Sequence, residues 1–376
     1  AASVSGALAL AAAAACGSVG GGGGDELVLG LAVPLTDGQG NPDVYGVRSR
    51  MGAELALEEL NASGAFGGRE LALRVVDDEG NPTSAIAAAD SLVRDPDVLA
   101  VVGHVYSGAT IAAAQQYAGN LPAVATSATS PEVSRLGDWI FRVASSDSAN
   151  AVALARAANA MGRRIAVLYA NDDYGQGLAR NFASALRAAG GTVAAMDPFL
   201  DDTKDFTPYL RRMKDRGVDL VFVAGLQDPA ARAIAQAQQV GLGARFLGGD
   251  GIEGLAEMGP RYDGTAVGVL FHAQMSDSAR AFVQRYRARY NEDPDSQSAL
   301  AYDAVRLLAR ALQAGHRDPA SIRRWLEGVG AERGGSPPFE GVAGRVEFDE
   351  NGDPVNKQFT LGVIRGGSIV LPEAGR

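Results

Sequence analysis

Cysteine occurs once among the 376 residues, at Cys16, and histidine three times, at His104, His272 and His316. A single cysteine excludes an intrachain disulfide framework, and three scattered histidines supply no set with zinc-ligand spacing. Basic residues are in deficit: 34 Lys and Arg stand against 44 Asp and Glu, a formal charge of -10. A nucleic-acid partner is therefore not expected, because phosphate contacts need clustered Lys and Arg. An acidic surface otherwise speaks of solubility rather than fold. Long apolar runs are missing after residue 15, so no later segment reads as a membrane span. Nucleotide-binding fingerprints are missing too. Gly20 to Gly24 precedes the first strand-like run, and Gly248-Gly249-Asp250-Gly251 has neither a Walker lysine nor dinucleotide spacing. With no G-x-S-x-G elbow either, no cofactor and no metal are expected.

What is present is a globular composition, 47% hydrophobic and 21% charged, on a chain long enough for two domains. Residues 1–24 stand apart. Ala1 to Ala15 is almost unbroken apolar sequence, suited to the apolar region of a secretion signal, and Gly20 to Gly24 has the composition of a tether. Ala13-Ala14-Ala15-Cys16 resembles a bacterial lipobox, so Cys16 is the expected lipidation site and a lipid anchor the expected link to a membrane.

From Leu27 onward, strand-like and helix-like runs alternate, which predicts an α/β fold with a largely parallel sheet. Leu27 to Val33, Leu71 to Val76 and Val98 to Val102 read as strands, with helical faces at Val47, Met51, Leu55 and Leu60 and at Ile86, Leu92 and Val93. The pattern restarts near residue 147, with strands at Ile165 to Tyr169, Asp219 to Ala224 and Arg245 to Gly248, which predicts two similar lobes. Helices are expected over Ala279 to Tyr290 and Ser298 to Ala314. The Asn351-Gly352 pair predicts a hairpin joining Val346 to Phe348 with Gln358 to Ile364.

Two loops carry the chemistry. Gly103 to Thr110 follows the buried strand Val98 to Val102 and enters a helix at about Thr110, setting the Ser107 hydroxyl and free backbone N–H groups beside a helix N-terminus. Thr126 to Glu132 follows Pro122 to Ala125 in the same way. Two such loops at neighbouring strand ends point to a small charged ligand. Catalysis is not expected: His104 lies only three residues from Ser107, and Asp172 and Asp173 are adjacent loop charges.

Several motifs, in order, resemble the leucine/isoleucine/valine-binding protein family, the substrate-binding components of branched-chain amino acid ABC transporters. They are Pro34-Leu35-Thr36 with Tyr45-Gly46, Phe66-Gly67-Gly68-Arg69, Val76-Asp77-Asp78, Gly103 to Thr110 and Ala128 to Glu132, then Asp172 to Gly177 and Phe246 to Gly251. The resemblance runs from about Leu27 to about Ile369. It implies two lobes, 25–146 plus 275–350 and 147–274 plus 351–376, joined by three crossings, with ligand captured between them.

The resemblance also implies roles. Ser107 would bind the ligand α-carboxylate, helped by the hydroxyl and N–H of Thr129. The Ala128 carbonyl and the Asp250 carboxylate would take the ammonium. Ser127 stands where a small apolar residue is common. Tyr174 would close over the ligand from the second lobe, while Tyr45 and Tyr302 would line the cleft from the first. Asp147 falls at the entry to the hinge. Leu226 stands where a branched-chain binder has Tyr, and Tyr106 and Gly80 stand where some members have paired cysteines. The implied function is extracytoplasmic capture of a small amino acid, branched-chain or otherwise aliphatic, by a monomer that delivers it to an ABC permease. A cleft for an amide, urea or aromatic acid, and a ligand sensor, are the alternatives left open.

Overall fold

Successive residues of the first strand face different helix layers. In the computed structural model, which describes residues 26–330 and 335–372, strand β1 (Glu26–Val33) turns Leu27, Leu29, Leu31 and Val33 toward Ala53, Leu55 and Leu60 of α1 (Val44–Ala62). Its other face turns Val28 and Ala32 toward Ala85, Ala89 and Leu92 of α2 (Pro82–Arg94). A strand buried on both sides has no polar face, hence the unbroken apolar run. The expectations for residues 1–24, lipidation of Cys16 included, lie outside the described residues.

The first sheet adds β2 (Glu70–Asp77), β3 (Val98–Val102), β4 (Ala123–Ala125) and β5 (Ile140–Arg142), with α3 (Ser107–Tyr117) after β3. Its order is β2-β1-β3-β4-β5, and every pairing is parallel. The second half repeats the scheme with α4 (Asp147–Met161), β6 (Ile165–Ala170), α5 (Asp173–Ala188), β7 (Val193–Phe199), α6 (Thr207–Asp215), β8 (Leu220–Ala224), α7 (Gln227–Val240), β9 (Arg245–Gly248) and β10 (Ala266–Val269). Here too the strand faces divide: Ile165 and Val167 pack with Phe182 and Leu154, and Ala166, Leu168 and Ala170 pack with Leu210, Met213 and Ile234. Two lobes result, each a mainly parallel sheet between helix layers.

Helices α8 (Asp277–Tyr290), α9 (Ser296–Gln313) and α10 (Pro319–Glu327) follow the second-lobe strands in sequence. In space α8 and α9 lie on the first lobe, where the Tyr290 hydroxyl donates to the Met51 carbonyl (2.8 Å) and Arg285 pairs with Glu59 (2.7 Å). Strands β11 (Phe339–Gly341) and β12 (Gly344–Val346) form a small hairpin. β13 (Thr360–Arg365) and β14 (Ser368–Val370) extend the second sheet antiparallel at the β10 edge, giving β14-β13-β10-β9-β8-β6-β7.

The hairpin expected across Asn351-Gly352 does not form. A tight turn is there, closed by the Asp349 N–H on the Asp353 carbonyl (2.9 Å). The flanking segments pair only through one antiparallel bridge, Phe348 with Pro354, and the Val355 N–H on the Glu347 carbonyl (2.8 Å); further out they separate, β12 pairing back with β11 and β13 with β10 in the other lobe. Turn chemistry was local and true, but strand pairing was decided by sheet edges far off in sequence.

The chain passes between the lobes at residues 143–146, 270–276 and 347–359. These crossings are fastened to one another and to the lobes. The Lys357 ammonium donates to the Val143 carbonyl (2.8 Å), the Arg142 N–H to the Gly352 carbonyl (3.1 Å), and the Ser296 hydroxyl accepts from the N–H groups of Leu270 and Phe271 (both 3.1 Å). Burial pulls Lys357 down to about 8 and lifts the facing Asp303, which caps the N–H groups of Val342 and Ala343, to about 6.

Candidate functional site

Loops at the carboxyl ends of parallel strands from both lobes meet around one narrow cavity, with about 300 Å³ of atom-free space when the solvent at its mouth is included. The first lobe brings Val105, Tyr106 and Ser107 after β3, Ser127 after β4, and Tyr45 in the first turn of α1. The second brings Tyr174 after β6, Leu226 after β8, and Asp250 and Gly251 after β9. In doubly wound sheets the crevice outside the strand carboxyl ends is where ligands sit, because adjacent connections part there to opposite faces.

Helix α3 begins at Ser107, three residues earlier than expected, with Tyr106 as its N-cap and no side-chain cap. Its opening N–H groups are thus free of side-chain partners and carry the positive end of the helix dipole. The Ser107 hydroxyl accepts from the Ser130 N–H (3.2 Å), which leaves its own hydrogen for an acceptor in the cavity. An anionic group meets donors here without a cationic side chain.

Asp250 is the one charged group among the described lining residues, and it is 3% exposed. Burial pushes its carboxyl up to about 6, although the Tyr174 hydroxyl donates to Oδ1 (2.9 Å) and favours the ionised form. The same Tyr174 oxygen accepts from the Gly251 N–H (3.1 Å), so the hydroxyl is fixed by one bond given and one received. A buried carboxylate without a cation is poised for one, since a charge-assisted partner would offset its desolvation.

Tyr45 bridges the lobes. Its hydroxyl donates to the Gly251 carbonyl (2.8 Å) and accepts from the Gln227 N–H (3.0 Å), while one turn later Arg48 pairs with Glu257 (2.6 Å). Gly46 allows this position: a Cβ there would lie 1.8 Å from the Pro34 carbonyl oxygen, which explains Pro34 and Tyr45-Gly46 as a unit. We expect Tyr45→Phe to weaken ligand binding about 5- to 30-fold, because two neutral hydrogen bonds of about 1 kcal/mol each are lost from the closed form only. Calorimetric titration measures this, and an unchanged Kd would mean the bridge contributes nothing to closure.

Three expected residues are not in the lining. Tyr302 lies inside the first lobe, 2% exposed, its ring beside Phe282 and its hydroxyl donating to Glu59 (2.6 Å). Thr129 and Ala128 sit behind the cavity wall, both fully buried. The Thr129 hydroxyl gives its hydrogen to Asp147 (3.1 Å), so it has none for a carboxylate. The Ala128 carbonyl accepts from Arg142 (3.1 Å). Asp147, at the start of α4, has one carboxylate oxygen without a partner, and burial raises its pKa well above the usual range. His104 turns away from Ser107 into the core, between Asp78 (2.5 Å) and Tyr117 (3.0 Å), which removes it as a base for that serine. Asp172 caps α5 through the Gly175 N–H (2.6 Å).

Two residues were missed. Arg142, fully buried, holds Asp353 and the carbonyls of Ala128 and Ser130, and so fixes the Thr126–Ser130 loop. Gln297, at the start of α9, reaches the cavity and accepts a hydrogen bond from the Ser127 hydroxyl. The Tyr106 ring lies on Gly80, where a Cβ would fall 2.7 Å from it, and its hydroxyl donates to Asp43 (2.8 Å). The two positions tied to a disulfide by the resemblance are therefore neighbours joined by ring packing.

Two α/β lobes linked by three crossings, with a cavity between them lined from both sides, define a bilobed solute-binding protein. The periplasmic binding protein family model matches residues 26–368, and the chain belongs to that family, in its Leu/Ile/Val-binding branch. It is 31% identical over 337 residues to Leu/Ile/Val-binding protein homolog 1 of Brucella suis, covering 88% of each chain. It is likewise 31% identical over 346 residues to the leucine-, isoleucine-, valine-, threonine- and alanine-binding protein of Pseudomonas aeruginosa, covering 90% of this chain and 89% of that one. The isoleucine complex of a branched-chain amino acid transporter substrate-binding protein from Streptococcus pneumoniae superimposes with a TM-score of 0.80 at 27% identity, over 92% of this chain and 100% of that one.

Proposed function

We propose that the cleft captures a small α-amino acid as its zwitterion outside the cytoplasm, and that the closed form delivers it to an ABC permease. The observation that carries this reading is the pairing of opposite ends in one cavity: a lone buried carboxylate at Asp250, and the uncapped start of α3 with the free hydroxyl hydrogen of Ser107. Asp250 takes the ammonium, Ser107 and the α3 N–H groups take the carboxylate, and Tyr174 orients Asp250. Thr129 and Ala128 support the wall from behind, Thr129 through Asp147 and Ala128 through Arg142. The relatives' names and the isoleucine complex favour an amino acid over an amide or aromatic acid. Family membership favours binding over catalysis and an extracytoplasmic place. The lipobox-like Ala13-Ala14-Ala15-Cys16 supports Cys16 as a lipid anchor, and residues 143–146, 270–276 and 347–359 would serve as the hinge.

Calorimetric titration of chain that has been unfolded and refolded to strip bound solute tests this. Saturable one-to-one binding of an L-amino acid, with a Kd near micromolar or about -8 kcal/mol, is expected. Binding of benzoate or an aliphatic amide alone would overturn it.

A further inference from the structure

Gln297 is 4% exposed, yet only one end of its carboxamide is engaged, by the Ser127 hydroxyl. The other end has no protein partner among the described residues, and the side chain lines both the ligand cavity and the adjoining space beside Arg48 and Glu253. An amide so little exposed that bonds on one side only gains from an acceptor placed on its open side. Asp250 is the only charged residue among the described lining residues and has its task in the ammonium.

We propose that Gln297, steadied by Ser127, reads the ligand side chain, and that the cleft prefers a neutral hydrogen-bonding side chain, a hydroxyl or a carboxamide, to an aliphatic one of equal size. This rests on the amino-acid reading of the cleft. Val105, Leu226 and the Tyr45 ring supply apolar contact for the methyl or methylene groups such side chains carry. A purely aliphatic group filling the site would leave the Gln297 Nε2 hydrogens facing it without an acceptor. With Oε1 taken by Ser127, the open end is the Nε2 donor, and the oxygen of a hydroxyl or carboxamide accepts from it. Discrimination of this kind exceeds what a hydrophobic pocket achieves for a single methylene, because the loser leaves a buried polar group unpaired.

The test is calorimetric titration of the full chain with two near-isosteric pairs, L-threonine against L-valine and L-asparagine against L-leucine. The polar member should bind at least tenfold tighter in one pair or both. Gln297→Leu should erase or reverse that ratio, and Gln297→Met, which keeps length and flexibility, serves the same purpose should the leucine variant fold poorly. Tighter binding of valine and leucine by the wild type, or an unchanged ratio in a folded variant, would overturn the inference while leaving the amino-acid reading intact. No binding by any of the four would overturn both.

Discussion

Asp250→Asn should cost amino-acid binding about two orders of magnitude while making the ligand-free protein more stable at neutral pH. The substitution keeps the size of the side chain and its acceptor for Tyr174, which donates at 2.9 Å. It removes the charge and turns an NH₂ toward an ammonium, donor against donor. Loss of one partner from a buried charge pair costs about 3 kcal/mol, hence the hundredfold. The stability change runs the other way. Burial raises the carboxyl to about 6 in the folded protein from 3.8. The folded state thus favours the protonated form: that contribution is full below pH 3.8 and is lost as pH rises to about 6, a cost of about 3 kcal/mol at pH 7. Asparagine escapes it. Wild-type affinity should therefore fall up to tenfold per unit below pH 6, where the ligand ammonium must displace a proton, and the variant should show a flat profile. Titrations at pH 5, 6 and 7.5 with matched thermal melts decide the matter, and equal affinity in the two proteins would remove Asp250 from the site.

Arg142→Met should lower unfolding free energy by about 3–5 kcal/mol, the usual result of removing one partner from a buried ion pair. The guanidinium is fully buried and meets both oxygens of Asp353 at 2.7 Å, the Ser134 hydroxyl at 2.7 Å, and the carbonyls of Ala128 and Ser130 at 3.1 and 2.9 Å. Methionine fills the volume but strips Asp353 of its cation, leaving it the Ser134 hydroxyl (2.8 Å), and takes the side-chain donor from the Ala128 carbonyl, while the Ser130 carbonyl keeps the Val133 N–H (3.1 Å). Urea denaturation reads the loss, and pairing the change with Asp353→Leu should recover much of it, since two apolar groups leave no stranded charge. Ligand affinity should also drop, because the loosened loop carries Ser127. A variant as stable as wild type would mean the arginine merely occupies space.

How far the sequence was legible follows from the range of the forces involved. β3 occupies Val98–Val102 as expected because a strand buried on both faces announces itself within five residues. The polar loops behind β3, β4 and β9 were legible for the same reason, each a break after an apolar run. Tyr302 was not: an aromatic on a helix suits a cleft or a core equally, and Glu59, its partner, lies 243 positions away. Gln297 reads as an ordinary first-turn helix residue, and only the fold brings it to Ser127, 170 positions off. Arg142 looks like a charge ending a short strand until Asp353, 211 positions later, closes on it. Local chemistry predicted where the chain turns, and long-range packing decided which side chains meet there.

The seating of the Tyr106 ring on Gly80 frees the first lobe from the redox state of its surroundings. A covalent clasp at that place would form only where thiols are oxidised and would open under reductant, whereas ring packing holds alike on either side of a membrane. The exchange makes the clasp intolerant of mutation instead: Gly80 has φ +62°, and any side chain there would strain the backbone and strike the ring together.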